Sequence, residues 1–306
     1  CSATACTILP GVSRMDINTF NTHVSGTQLT ADGKISLGAA KLLADGSSMH
    51  TGYLSNPYHK VIYDLPDGPM WRGYPMEPEQ QFIEKVVGLL GRLQLAIHGN
   101  GDDAIQMILN AYEEAQKRYP APTPGTSSST ARPCARISLT AQEAWRGASF
   151  FVVHTYFWGD RHLEIYMGPG RGKQQNPQLG RRLRSPLHVP QRHPCNPDFR
   201  PAQLQSSVTR TSTGGQVLSG SSKDLSAKAM YPETKGGLNA ILGFDQRLNP
   251  LQAIHAVTVT PAYQNHIERL VGSIEEGKLA DFAILDQDPI EVAATTPLEI
   301  QDIRVA

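Results

Sequence analysis

Leu93-Gln94-Leu95-Ala96-Ile97-His98-Gly99-Asn100-Gly101-Asp102 is the stretch whose reading decides the fold. Leu93, Leu95 and Ile97 alternate with Gln94, Ala96 and His98, the pattern of a short strand that ends on a polar side chain. Gly99-Asn100-Gly101 turns the chain sharply. Asp102 is expected to cap a helix running to about Lys117, with Ala104, Ile105, Ile108, Leu109 and Tyr112 along one side. Immediately upstream, Pro75-Met76-Glu77-Pro78 introduces a helix. From Gln81 to Arg92, apolar residues at 82, 83, 86, 87, 89 and 90 form its buried stripe. Helix, strand, polar end, glycine turn, helix is the rhythm of an α/β architecture.

Outward from this core the rhythm comes and goes. The apolar run SLGAAKLLAD, residues 36–45, reads as a strand or short helix that delivers a loop at Asp45-Gly46-Ser47. Tyr53 to Tyr74 is rich in Gly, Pro and aromatics and reads as a long loop. Residues 120–140, PAPTPGTSSSTARPCARISLT, have the composition of a linker. Phe150-Phe151-Val152-Val153-His154 reads as a strand. Residues 161–200 hold eight Lys and Arg against two Asp and Glu, with Pro interleaved, the composition of a basic loop rather than of a nucleic-acid-binding helix face. Residues 226–246 are loosely helical. Asn249-Pro250-Leu251 opens another helix, with Leu251, Ile254 and Val257 expected to face one way. Gly272-Ser273-Ile274 and Asp281 to Asp286 read as two short strands around the turn Glu276-Gly277-Lys278.

The bulk numbers narrow the class. A chain of 306 residues that is 40% hydrophobic can bury a core, and its 27 Gly and 22 Pro imply many turns. Lys plus Arg and Asp plus Glu balance at 28 each, which gives no reason to expect a nucleic-acid or membrane partner. Cys1, Cys6, Cys134 and Cys195 form no close metal or redox pair, so a reducing, cytoplasmic setting is expected. No run approaches a transmembrane span. The first residues, CSATACTILPGVSR, look like an internal start and suggest N-terminal truncation.

Six segments, in order, carry a family resemblance: Ala40-Lys41-Leu42-Leu43-Ala44-Asp45-Gly46-Ser47, Gly52-Tyr53-Leu54-Ser55-Asn56-Pro57-Tyr58, Trp71-Arg72-Gly73-Tyr74-Pro75, Ala96 to Asp102, Tyr156 to His162, and Gly272 to Asp281. The chain resembles the amidohydrolase superfamily, in the YtcJ-like branch known as amidohydrolase family 3, which includes N-substituted formamide deformylases. The resemblance implies an α/β fold, here an incomplete (β/α)8 TIM-type barrel over residues 1–268. Residues 269–306 would be a remnant of a small β-sandwich built from both chain ends. It places the site at the C-terminal face of the barrel strands. A divalent metal, usually zinc, would activate water against a small amide-type or N-substituted formamide substrate.

Residue by residue, the resemblance makes His98 a metal ligand at a strand end, although such a histidine also serves as a hydrogen-bonded loop anchor. Lys41 matches a lysine that is carbamylated to hold metal in related enzymes, or it pairs plainly with a carboxylate. Asp45 is a turn former or lies near substrate. His154, Trp158, Asp160 and His162 follow a strand and read as pocket residues, with ordinary packing the alternative for Trp158. Lys278 and Asp281 are structural and shape a hairpin.

Two ligand motifs of the family are missing where they fall due. After the helix near Pro120 the family has a segment of the form Arg-His-(Lys/Arg)-(Ile/Leu)-Glu-His, and late in the barrel one of the form His-(Ser/Asn)-Asp-(Thr/Ala)-Pro-Val. Synonymous codons can be chosen for residues 122–140 that, read one base earlier, spell ADTRHKLEHCQTLREDQLD. Synonymous codons can likewise be chosen for residues 185–203 that, shifted by one base the other way, spell LHFTFHNDTPVTPISALR. Two frame-altered windows are therefore expected, at about 121–147 and 180–203. The chain as written would keep His98 and Lys41 from a larger ligand set, and a catalytically inactive remnant is the alternative to a working hydrolase.

Overall fold

The computed structural model describes residues 6–8, 35–37, 39–60, 64–90, 94–119, 152–168, 171, 199–213, 247–265 and 267–305. They belong to two compact units, residues 1–144 and residues 145–306. The linker at 120–140, the frame-altered window at 121–147, residues 180–198 of the second window, Phe150, Phe151 and the segment 226–246 lie outside the described residues.

The first unit is built on strand–helix–strand–helix logic. Strands β1 (Cys6–Ile8) and β2 (Ile35–Leu37) pair in parallel. Strand β3 (Ala40–Leu43) leads through the long loop to helix α1 (Glu79–Leu90), then to strand β4 (Leu95–His98) and helix α2 (Asp102–Arg118). β3 and β4 are parallel neighbours, with Ala40 opposite Leu95 and Leu43 opposite His98. Successive side chains of a strand point to opposite faces. Ala40 and Leu42, with Leu95 and Ile97, pack on the two helices, where Phe82, Val86 and Leu89 are fully buried. Each such large side chain contributes roughly 1.5–3 kcal/mol. Ala104, Ala111 and Ala115 give α2 a narrow buried stripe that faces this core. The other face of the ladder carries Lys41, Leu43, Ala96 and His98.

Helix, strand and turn fall where the sequence puts them, but the cap does not. Gly101 is the N-cap of α2 and Asp102 is its first residue. The Asp102 carboxylate instead accepts from the Ser55 backbone N–H at 2.9 Å and from the Ser55 hydroxyl. The carbonyl of Tyr53 accepts from the Ala104 N–H at 3.3 Å and so takes up one of the helix's open donors.

In the second unit the expected strand at 150–154 is corrected: Val153–Arg161 is helix α3, continued by a π-helical turn at His162–Tyr166. Val152, Val153, Thr155, Gly159, His162, Leu163 and Tyr166 are buried along it. Their spacing is helical, and the β-branched and aromatic run at its start hides that period in a short window. Helices α4 (Phe199–Thr209), α5 (Pro250–Val257), α6 (Val259–Gln264) and α7 (Pro289–Thr295) follow, with a 3-10 turn at Pro297–Asp302. Val152, Val208, Leu248, Ala253, Val292 and Ile300 form their common core.

The start of α5 lies where Asn249-Pro250 announces it. The Asn249 side chain accepts from the Gln252 N–H at 2.8 Å, and the Gln252 side chain accepts from the Asn249 N–H at 3.1 Å, a reciprocal capping box. Its buried face differs from the expected one. Ala253 and Ala256 are buried while Leu251 is 64% exposed, because the small residues allow the closer helix contact.

The two short strands expected at 272–274 and 281–286 are turns and extended chain instead. Gly272 and Gly277 both take positive φ, at 100° and 86°, and bend the segment. Ile274, Phe282 and Ile284 are 83%, 64% and 69% exposed. Among the described residues the strand-like pairing here is one antiparallel bridge, Leu285 to Val305. Lys278 does hold the turn, with Nζ 2.5 Å from the Ser273 hydroxyl and 3.3 Å from Glu275. Among the described residues no helix is long and apolar enough to cross a membrane.

Candidate functional site

The C-terminal ends of β3 and β4 lie side by side, and their loops are bound together by one carboxylate. Asp45 is 2% exposed. Its Oδ2 accepts from the backbone N–H of Tyr53 at 2.8 Å and of Gly101 at 2.7 Å. Its Oδ1 accepts from the backbone N–H of Asn100 at 2.9 Å. Three backbone donors from two loops, one buried and two part-buried, thus converge on one side chain. Burial lifts the Asp45 carboxyl above the ordinary aspartate range, and the donated N–H groups offset only part of that rise.

His98 stands at the end of β4, half-buried, on the ladder face away from the helices. Its Nε2 lies 3.0 Å from Asn100 Nδ2, and the same Asn100 nitrogen donates to the Gly46 carbonyl at 2.6 Å. Lys41 is on the same face, opposite Ala96 and diagonal to His98. Asn100 and the Tyr53 backbone are partners that the sequence reading did not single out. A signal for Asn100 is its place two residues after a strand-end histidine in a Gly-Asn-Gly turn, where a short amide reaches nearby backbone.

The other four candidate residues belong to the second unit, on α3 and its π-helical extension. His154 and Trp158 are one helical turn apart, and Asp160 is two residues further on, across the helix from Trp158. The Arg161 guanidinium lies over the Trp158 ring, 5.1 Å from its centre. Asp160 Oδ1 accepts from the Ser212 hydroxyl at 2.5 Å. His162 is 3% exposed and meets the ring of Tyr166 edge-on at 6.0 Å.

The chain matches the amidohydrolase family from residue 14 to residue 304, nearly its whole length. It belongs to the amidohydrolase family. Among curated relatives, it is 25% identical over 233 residues to an N-substituted formamide deformylase of Arthrobacter pascens, covering 69% of this chain and 35% of that enzyme. Among solved structures it is similar to an uncharacterized metal-dependent hydrolase of Pyrococcus horikoshii OT3, with a TM-score of 0.60 at 19% identity over 92% of this chain and 50% of that one. A second, from Pyrococcus furiosus, gives a TM-score of 0.56 at 19% identity over 90% of this chain and 49% of that one. The chain therefore spans about a third of the curated relative and half of the two solved structures. For the amidohydrolase chain described here, these likenesses support a partial TIM-barrel-like α/β fold.

A zinc site asks for three or four protein ligands. Among the described residues no three His, Cys, Asp or Glu side chains gather to hold a cation. Asp45 has both oxygens turned to backbone N–H groups, and His98 Nε2 already meets the Asn100 amide. The described residues alone do not fit a catalytic metal.

Asp102 gives this region a pH dependence. Burial raises its pKa, but the Ser55 hydroxyl and N–H, with the helix-start N–H groups of Asp102 and Asp103, outweigh that and leave it lowered. A lowered folded pKa means stability that is complete above the unfolded value of about 4 and is lost as pH falls through the folded value. In urea melts across that range, Asp102→Asn is expected to be less stable than wild type at pH 6, with the gap closing below pH 4. A gap that stays constant down to pH 2 would contradict this.

Proposed function

We propose that this chain carries the scaffold of a metal-dependent hydrolase of non-peptide carbon–nitrogen bonds, acting on a small amide or N-substituted formamide. The observation that supports it is the parallel β3–β4 ladder, which presents His98 at the C-terminal end of β4 and, on the same face, Lys41 two residues before the end of β3, within the residues that match the family. That end of the strands is where barrel enzymes build their sites. Zinc as the metal, a cytoplasmic setting and the absence of nucleic-acid and membrane partners are parts of the same reading, as is the boundary between residues 268 and 269. The test is zinc content and turnover. One zinc per purified chain, with release of formate from an N-substituted formamide, supports the reading. Neither one at substrate concentrations in the millimolar range overturns it for the chain as written.

A second reading has specific support. The oxygens of Asp45 and the Nε2 of His98 are engaged by backbone and amide groups, so a catalytically inactive remnant fits the described residues. In this reading the missing ligands are encoded out of frame in windows 121–147 and 180–203. Genomic DNA across both windows tests it. Bases that restore RHKLEH and HNDTPV on shifting by one are expected, and continuous codons without those motifs in any frame would end the idea.

A further inference from the structure

We propose that Asn100 is a positioning residue that keeps the His98 ring in one tautomer and covers its Nε2 lone pair. The orientation of the Asn100 amide does not depend on the histidine. Its Nδ2 faces the Gly46 carbonyl, which only accepts, at 2.6 Å. Its backbone N–H is fixed on Asp45 at 2.9 Å. The residue is thus held by the β3 loop at both ends, and the second amide proton is directed at His98 Nε2, 3.0 Å away. A nitrogen that receives an N–H must be bare, so the neutral ring carries its proton on Nδ1.

The consequence for the ring is direct. The lone pair on Nε2, one of the two ring positions through which a histidine can ligate, is engaged by an amide preset by the neighbouring loop. A cation that takes His98 through Nε2 must first displace that amide. This goes beyond the hydrolase reading, because it concerns the metal-free ring and holds whether or not the chain turns over substrate.

The test uses the full chain labelled with 15N-histidine at about pH 8, above the ordinary imidazole range. The His98 signals are assigned from their loss in His98→Gln. The wild-type ring is expected to show the Nδ1–H pattern, and Asn100→Ala to shift it toward Nε2–H. An Nε2–H ring in the wild type overturns the proposal even if the variant does not fold. An unchanged tautomer in a folded variant overturns it as well. Failure of formamide turnover bears on the hydrolase reading and leaves the ring tautomer untouched.

Discussion

Asp45→Ala is expected to remove about 2–4 kcal/mol of stability, because it strands three backbone donors at once, one buried and two part-buried. The N–H groups of Tyr53, Asn100 and Gly101 all end on this carboxylate. Each unsatisfied buried donor costs about 1–3 kcal/mol, and the contributions do not simply add. The loss comes from the missing acceptor, since all three N–H bonds end on its two oxygens. Asp45→Asn keeps part of that acceptor. Its remaining oxygen can serve Tyr53 and Gly101, while its NH2 is turned on the Asn100 N–H, so a smaller loss of about 1–2 kcal/mol is expected. Urea melts of the full chain measure the difference. Amide exchange at residues 53, 100 and 101 should speed up in step with it. Equal stability of wild type and Asp45→Ala would show that these loops are not joined through the carboxylate.

Gly101→Ala is expected to be the second most damaging change, at about 2–3 kcal/mol. Its φ of -85° is open to any residue, so the reason is space and not backbone freedom. A Cβ at this position would fall inside the backbone of Tyr53, on its carbonyl oxygen and carbon. That backbone cannot yield locally, because the Tyr53 N–H is held by Asp45 and its carbonyl by Ala104. Gly277→Ala is the contrast. Gly277 has a φ of 86° and nothing within 4 Å of a Cβ, so only backbone strain of about 1–2 kcal/mol is expected there. Thermal melting of both variants checks the pair, and a Gly101→Ala protein no less stable than Gly277→Ala would refute the steric account.

The two changes meet in the same few residues, and that shapes any chemistry at this end of the sheet. Tyr53, Gly101 and Asp45 set where the β4 loop leaves the strand, and Asn100 is carried on that loop beside His98. Loosening the Asp45 contacts should therefore also free the histidine ring. The Asn100 amide is held from both sides by the β3 loop. The 15N signature of His98 in Asp45→Asn is a natural companion measurement to the melts.

Legibility in the sequence followed the length of the periodic signal. Helices α1 and α2 and strand β4 could be read from Phe82 to Tyr112, because the apolar residues repeat over several turns. The start at Asn249-Pro250 could be read because a capping box is local chemistry. The expected strand at 150–154 misled, since Val152 and Val153 stand at the start of a helix with residues that favour strands. Only its partners make Thr155, Gly159 and Leu163 a buried stripe. At 272–286 the alternation of Phe282 and Ile284 is genuine, but a strand exists only where a neighbour accepts its hydrogen bonds, and no local pattern supplies one.

The linear order of residues by itself determined the family, the α/β class and the position of His98 at a strand end, because those rest on motifs and periods carried within a few turns of chain. The folded arrangement alone decided that Asp45 binds backbone, that Gly101 tolerates no side chain and that His98 Nε2 faces Asn100. Each of these joins groups about fifty residues apart or turns on the direction of a single N–H. Such facts depend on which loops are brought together in space, and spacing along the chain does not encode them.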